Sequence, residues 1–252
     1  MKRFLLLSLA ALLLCPLAAQ AGKPVRITVL SYNIQGAKRF PTEKYAEFIQ
    51  KYQPDLVAFQ EVDYMTKRFP QKPDFLGEVA RMTGMHPVYA AAMAFSDGQY
   101  GIGLMTRFPI EAVKAFALPQ PEGSYEPRRA VTAEVRINDD LTMRFTSTHL
   151  DLPSDSIRLA QTTALTRWLS GDDTPSIVCG DFNATPDSKA IAHMKAHWQQ
   201  VCDDQLTYPE TDPKKKIFVR GRGTWKVVDY QRLVDVPLSD HCPILVTLEY
   251  TE

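Results

Sequence analysis

Residues 176–183 read Ser-Ile-Val-Cys-Gly-Asp-Phe-Asn, a short apolar run with a polar ending. The run at 176–179 is typical of a buried strand. Asp181 and Asn183 follow it directly, and the end of a strand is where an α/β scaffold presents functional groups. The stretch therefore predicts a strand with a site at its carboxyl end.

A helix is predicted immediately before this strand. Ser156 is placed to cap its start, and Gly171 is placed to end it. Between them, apolar side chains recur at helical spacing and define one face: Ile157, Ala160, Ala164 and Trp168. A helix followed by a strand indicates an α/β chain.

The amino-terminal part of the chain repeats this alternation. A β-rich run at 25–32 predicts a strand, and a second strand is predicted at 55–59. Between them lies a predicted helix, capped by Thr42 and stopped by Pro54. A further helix is predicted at 75–82, ended by Gly84.

The rest of the pattern contains more strands than helices. Further strands are predicted at 100–105, 141–148, 217–219, 225–233 and 244–248. Because several strands follow one another with no helix between them, uniform parallel winding is disfavoured. We predict one α/β domain with a pair of mixed sheets flanked by helices.

Residues 1–21 have the organisation of an export signal. Lys2 and Arg3 precede an apolar run at 4–14, and Ala19-Gln20-Ala21 forms a small-x-small cleavage site. We predict cleavage before Gly22, a mature domain of residues 22–252, and a periplasmic or secreted location. The apolar run is shorter than the roughly 20 residues of a membrane span, so no stable membrane insertion is expected.

Charge and cysteine content exclude several classes of protein. The chain has 29 basic and 29 acidic residues, and removal of 1–21 leaves 27 and 29. A nucleic-acid partner is possible, but this balance does not support non-specific binding to one. The mature cysteines, Cys179, Cys202 and Cys242, allow at most one disulfide and fit no zinc spacing. Oligomeric state does not follow from these features.

Polar side chains gather at the ends of the predicted strands. They are Asn33, Glu61, His149, Asp151, Asp181, Asn183, Asp240 and His241. Taken singly, each fits an ordinary turn, loop or buried position. Taken together, carboxylates and amides without matching cysteines suit a hard cation bound through oxygen, which predicts Mg²⁺, with Mn²⁺ as the alternative.

Six short motifs identify a family resemblance. They are Ser31-Tyr32-Asn33-Ile34, Gln60-Glu61-Val62-Asp63, Tyr100-Gly101, Thr148-His149-Leu150, Gly180-Asp181-Phe182-Asn183 and Ser239-Asp240-His241. In this order they resemble the endonuclease/exonuclease/phosphatase superfamily, the group of deoxyribonuclease I, over residues 31–243. Arg68 and Thr83-Gly84-Met85 are further similar to its small exported metal-dependent hydrolase branch. The resemblance implies a four-layered α/β/β/α sandwich with its site at the top of two packed sheets.

The resemblance also implies roles around the metal ion and the attacking water. Glu61 is expected to be the principal metal ligand, with Asn33 near the ion. Asp240 is expected near the ion or in support of the final histidine. Asp181 is expected to orient or deprotonate the water, and Asn183 to hold water and phosphate by hydrogen bonds.

Four further side chains are expected to contact the phosphate group. The resemblance implies that His241 stabilises the charge of the transition state and that His149 contacts phosphate or assists the leaving oxygen. It gives Tyr100 a phosphate contact, with packing beside Gly101 as the alternative. Arg128 precedes a strand and offers a bidentate phosphate contact.

The chain departs from the family pattern at one motif. The family carries an Ile-Asp-Tyr-Ile-like strand whose Asp pairs with a catalytic histidine, whereas residues 214–219 read Lys-Lys-Lys-Ile-Phe-Val. Either two residues are lost or Lys215 occupies the place of the acid. His241 is then expected to lack its usual partner, with Asp212 or Asp229 as candidate substitutes.

These features predict an exported, divalent-metal-dependent phosphoesterase that cleaves a phosphodiester or phosphomonoester by in-line attack of water. The residues leave open whether the substrate is a nucleic acid, a lipid headgroup or a sugar phosphate. The alternative is a catalytically weakened binding protein on the same fold, which the departure at Lys215 favours.

Overall fold

The computed structural model describes residues 23–205, 207–208 and 215–252, and these form twelve strands and four α-helices. The strands are β1 (Val25–Asn33), β2 (Leu56–Tyr64), β3 (His86–Phe95), β4 (Gly98–Thr106), β5 (Ile110–Ala117), β6 (Arg129–Arg136), β7 (Thr142–His149), β8 (Ser176–Asp181), β9 (Gln199–Gln200), β10 (Lys215–Arg220), β11 (Thr224–Arg232) and β12 (Ile244–Thr251). The helices are α1 (Thr42–Tyr52), α2 (Phe75–Thr83), α3 (Asp155–Leu169) and α4 (Lys189–His197).

The strands form two six-stranded sheets. One has the order β11-β12-β1-β2-β4-β3, and the other has the order β5-β6-β7-β8-β10-β9. Each sheet has one parallel pair, β1 with β2 and β7 with β8, and its other neighbours are antiparallel. The sheets are therefore mixed, as the sequence predicted.

Three apolar cores hold the layers together. The largest lies between the sheets, where side chains such as Ile27, Phe145 and Val246 are fully buried. A second core packs α1 and α2 on the first sheet, and a third packs α3 and α4 on the second sheet. The order of layers is helix, sheet, sheet, helix, which confirms the four-layered α/β/β/α sandwich.

Two predicted helix caps are wrong by one or two residues. Thr42 is the first residue of α1 and forms no capping hydrogen bond; Pro41 occupies the N-cap position. The cap of α3 is Ser154, whose Oγ accepts a hydrogen bond from the Ile157 backbone N–H (3.3 Å). Ser154 and Ser156 are both suitable cap residues, so residue type alone does not distinguish them.

The described residues include three free cysteines and no helix long and apolar enough to span a membrane. The cysteines are Cys179, Cys202 and Cys242. The predicted signal at 1–21 lies outside the described residues, and so does Asp212.

Gly101 of β4 lies close to the backbone of Ala90 in the paired strand β3. A Cβ atom at this position would lie 2.1 Å from the Ala90 carbonyl oxygen. Backbone cannot yield as a flexible side chain does, so we expect Gly101→Ala to lower the free energy of unfolding by about 2 kcal/mol, the usual cost of overpacking. Urea unfolding measures this change.

Gly171→Ala is the control, because no heavy atom lies within 4 Å of the added Cβ there. We expect it to stay within about 0.5 kcal/mol of the native protein. A Gly101→Ala protein as stable as the Gly171→Ala protein would contradict the close approach.

Candidate active site

The two parallel strand pairs bring their carboxyl ends to the same edge of the sandwich. Asn33 ends β1 and Glu61 lies near the end of β2 in the first sheet. His149 ends β7 and Asp181 ends β8 in the second sheet, directly paired with each other. Parallel strands point their ends in one direction, so both sheets contribute polar groups to one place.

A β-bulge places Glu61 in this site. The pairing of β2 with β4 shifts register between Gln60 and Val62, which leaves Glu61 as the extra residue. Its φ of 58° is in the left-handed region, which non-glycine residues rarely adopt. A bulge redirects one side chain out of the regular alternation, and such strain is concentrated at functional sites.

The Asn33 side chain joins the two principal carboxylates. Its Nδ2 donates to Glu61 Oε1 (2.7 Å) and to Asp181 Oδ2 (3.1 Å), while its Oδ1 accepts from the Gln35 backbone N–H (3.1 Å). Glu61 and Asp181 belong to different sheets and are 120 positions apart in the chain, yet they share one amide group. The predicted convergence of these motifs is present.

His241 is held between two acids. Its Nδ1 lies 2.7 Å from Asp240 Oδ1, and its Nε2 lies 3.3 Å from Asp181 Oδ2 in an ion-pair contact. Burial raises the pKa of Asp181, but His241, then His149 and last Lys215 outweigh it and hold the pKa well below its usual range. The Asp181 carboxylate is therefore ionised at neutral pH.

His149 is held in its neutral form. Burial lowers the pKa of His149 well below its usual range, and the positive charge of Arg128 lowers it further. Arg128 Nη1 lies 2.9 Å from His149 Nδ1. A guanidinium can only donate, so Nδ1 accepts and the ring proton is on Nε2. Nε2 lies 3.1 Å from Asn183 Nδ2, which is itself a donor and donates to the Leu150 carbonyl (2.8 Å), so Asn183 does not accept the Nε2 proton.

Arg128 is itself fixed by acids. Its Nη2 lies 2.7 Å from Glu126 Oε1, and its Nε lies 3.6 Å from Asp151 Oδ1. Both terminal nitrogens are thus engaged, one by His149 and one by Glu126. In this arrangement a bidentate contact with phosphate requires release of Glu126.

A cavity of about 250 Å³ opens between these groups. Its lining residues are Glu61, Tyr100, Glu126, Arg128, His149, Leu152, Asp181, Asn183, Tyr208, Asp240 and His241. Eight of the nine residues predicted from the sequence line it, and the ninth, Asn33, bonds to two of them. The structure therefore brings every predicted site residue together; their individual roles stay predictions.

Three further residues belong to the site and were not predicted to act in it. Gln35 donates from Nε2 to Asp240 Oδ2 and is two positions from Asn33 in the same motif, which is the signal that could have found it. Glu126 pairs with Arg128 and is two positions from it. Tyr208 packs against His241 with ring centroids 4.8 Å apart and the rings tilted by 54°, and no sequence signal marks it.

His241 lacks the family's usual acid from the strand at 214–219, because Lys215 stands in that place. Asp240, its neighbour in the chain, takes the place beside Nδ1, and Ser239 Oγ donates to the same carboxylate oxygen (3.1 Å). Asp229 is exposed on β11 and accepts a hydrogen bond from Gln231, so it does not take this place. Lys215 lies opposite Asp181 in the β8–β10 pair, where the family pattern led us to expect an acid.

The donors of the site fit a hard divalent cation. Glu61 and Asp240 line the cavity as carboxylates. Gln35 Oε1 is buried and has no hydrogen-bond partner among the described residues, so it is an oxygen donor available for a ligand. Carboxylate and amide oxygens are the ligands that Mg²⁺ and Mn²⁺ prefer, with water and substrate completing the shell. The described residues contain no group of three or more His, Cys, Asp or Glu side chains arranged around one ion.

Comparison with known proteins identifies the family. A model of the endonuclease/exonuclease/phosphatase family matches residues 30–241. The chain belongs to this family. Its members hydrolyse phosphoric esters and generally use divalent metal ions, so the prediction of a phosphoric ester hydrolase is confirmed at the level of the family.

Solved structures share the fold at low sequence identity. A family protein from Bacteroides thetaiotaomicron is 18% identical with a TM-score of 0.75, covering 90% of this chain and 96% of that one. The mannosyl-6-phosphatase Bt3783 of the same organism is 18% identical with a TM-score of 0.72, covering 88% and 99%. The human Nocturnin catalytic domain with bound sulfate is 21% identical with a TM-score of 0.70, covering 92% and 98%.

Proposed function

We propose that this protein is an exported, divalent-metal-dependent phosphoesterase that hydrolyses a phosphodiester or phosphomonoester by in-line attack of water. The observation that carries the proposal is the shared Asn33 amide, which holds Glu61 and Asp181 from opposite sheets within one cavity. The chemistry of the donor set supports Mg²⁺, or Mn²⁺ in its place, with Glu61 as its principal ligand. When bound, the ion supplies Lewis-acid stabilisation of the phosphoryl oxygens.

Asp181 is the group that acts on the water. Its carboxylate is ionised, and its Oδ1 accepts from the Asn183 backbone N–H (3.0 Å). A carboxylate has further lone pairs, so Asp181 can accept a proton from a water that Asn183 helps to position. The new bond to phosphorus forms as the ester bond opposite to it breaks.

Two histidines and Tyr100 act on the phosphate. His149 is neutral and carries its proton on Nε2. It can therefore donate this proton to a phosphoryl oxygen or to the leaving oxygen. His241, oriented by Asp240, stabilises the developing negative charge. The Tyr100 hydroxyl, whose pKa burial raises, remains a neutral donor at the cavity wall.

The volume of the cavity and the charge of its lining limit the class of substrate. About 250 Å³ accommodates a phosphate and a small part of an attached group. The neighbouring acids make the site negative without a metal ion, which supports metal dependence. Mannosyl-6-phosphatase activity is named for one structural relative, so a sugar phosphate is a candidate beside a nucleotide or lipid diester.

The proposal is tested by hydrolysis of bis(4-nitrophenyl) phosphate and 4-nitrophenyl phosphate with Mg²⁺, Mn²⁺ or EDTA. We expect EDTA to reduce the rate at least about 100-fold and either metal to restore it, since the ion supplies several kcal/mol of charge stabilisation. Glu61→Gln is expected to raise the metal concentration needed for half-maximal rate at least about tenfold.

Glu111→Gln, an exposed change on β5, is the matched control and should keep the native metal dependence. Undiminished hydrolysis in EDTA would reject the metal dependence. No hydrolysis of a broad phosphoester panel, with phosphate still bound, would favour the catalytically weakened binding protein.

A further inference from the structure

Lys215 is a buried cation next to the active site. It is the first residue of β10, and its side chain is 1% exposed. Its Cα pairs with that of Asp181 across the antiparallel β8–β10 ladder. Directly opposed residues of antiparallel strands project to the same face of the sheet, so Lys215 and Asp181 point to the same side.

The Lys215 ammonium lacks a hydrogen-bond partner in the part of the chain that the structure describes. Its Nζ is buried and makes no hydrogen bond with any described residue. The next residue, Lys216, is equally buried, but its Nζ lies 2.6 Å from Asp204 Oδ1 and donates to the Asp203 carbonyl (3.3 Å). Buried lysines are ordinarily paired in this way, so Lys216 fits a stabilising role and Lys215 does not.

The charges that act on Lys215 belong to the site. Burial lowers the pKa of Lys215 to about 8. Asp181 opposes this shift most, followed by Cys242 and then by the carboxylates of Glu61 and Asp240. The ammonium therefore carries its charge at pH 7. The charge acts in turn on Asp181, where it helps to keep the carboxylate ionised.

We propose that Lys215 is a built-in counter-cation of the active site, which offsets part of the negative charge of Glu61, Asp181 and Asp240 from within the second sheet. It is a positioning residue, because it acts through these acids and not by touching the substrate. The inference rests on the proposed function, since it assigns Lys215 a role toward the metal ion and the phosphate.

Two opposite effects follow from one buried positive charge. Coulomb repulsion weakens the binding of a divalent cation, and attraction strengthens the binding of a phosphate anion. A site with an acid in this position would have the reverse balance, binding metal more tightly and anion more weakly. Lys215 therefore shifts the site from metal affinity toward anion affinity.

The test is isothermal titration calorimetry at pH 7 with Mn²⁺ alone, and then with inorganic phosphate added to the Mn²⁺-loaded protein. For Lys215→Met we expect Mn²⁺ to bind about tenfold more tightly and phosphate about tenfold more weakly. Lys215→Arg keeps the charge and should stay within about threefold of the native protein for both ligands. Lys216→Met is the matched control from the same strand and should also stay within about threefold.

The outcomes separate this inference from the proposed function. Absence of Mn²⁺ binding to the native protein would reject the proposed metal site itself. If the native protein binds Mn²⁺ but Lys215→Met leaves both affinities unchanged, or weakens both, the role of Lys215 is overturned. A Mn²⁺-loaded native protein that binds no phosphate would also overturn it. Circular dichroism establishes that the variants fold, and Lys215→Gln serves in place of Lys215→Met if the latter does not.

Discussion

Asp181→Asn is expected to lower kcat for phosphoester hydrolysis by about 10³, within the range for loss of a general base. The substitution keeps the shape of the side chain, and its amide oxygen can still accept from the Asn183 backbone N–H, as Oδ1 does now (3.0 Å). What it removes is the negative charge and the ability to take a proton from water. Steady-state kinetics at saturating metal measures the change.

The same substitution at an exposed acid gives the comparison. Asp139 lies on the surface, away from the cavity, so Asp139→Asn should keep the native kcat. Asn33 Nδ2 now donates to Asp181 Oδ2 (3.1 Å), and an asparagine at 181 can place a second NH₂ donor against it. The thermal midpoint of the variant is therefore measured as well, to detect a loss of stability. A loss of less than tenfold in a folded Asp181→Asn protein would remove Asp181 from the reaction.

The sequence predicted the centre of the fold well because its strands are buried and apolar. The predicted runs at 25–32, 141–148 and 176–179 correspond to β1, β7 and β8, which lie inside their sheets. The edge strands β3 and β5 were missed, whereas β11, the other edge strand of the first sheet, was predicted at 225–233. β3 is rich in alanine, a residue that favours helices, and β5 is largely exposed, so neither has a clear strand pattern.

The members of the site could be predicted, but their contacts could not. Motif residues such as Asn33 and Asp181 follow buried strands, and this position is visible in the sequence. The direction of Glu61 depends on a β-bulge, and that of Gln35 depends on a left-handed backbone with φ of 52°. Such local geometry is decided by tertiary packing, which a single sequence does not display.

The departure at 214–219 illustrates the same limit. The family pattern indicated that an acid is absent at 214–219, and it left open whether Asp240 supports His241 or the metal ion; Asp240 lies beside His241 Nδ1. The pattern also did not indicate that Lys215 and Lys216 are buried on β10. Charge in a sequence does not indicate burial, because a lysine is accommodated inside a protein only by its particular neighbours.

Asp240→Asn has the second largest expected effect. Asp240 Oδ1 lies 2.7 Å from His241 Nδ1, so the carboxylate fixes the orientation of the ring. Loss of the acid from the histidine of a serine protease triad costs about 10⁴ in kcat, and His241 keeps a second acidic neighbour, Asp181, at 3.3 Å. We therefore expect a smaller loss, about 10² in kcat, with KM changed less than about threefold.

Asp229→Asn distinguishes the two acids and should leave kcat unchanged, since Asp229 is exposed and bonded to Gln231. Equal kcat values for the two variants would show that Asp240 is not the partner of His241. A change confined to the Mn²⁺ concentration needed for half-maximal rate would instead place Asp240 at the ion. Gln35, whose Nε2 donates to Asp240 Oδ2, would then also lie beside the ion. The kinetic constant that changes thus assigns Asp240 either to the histidine or to the cation.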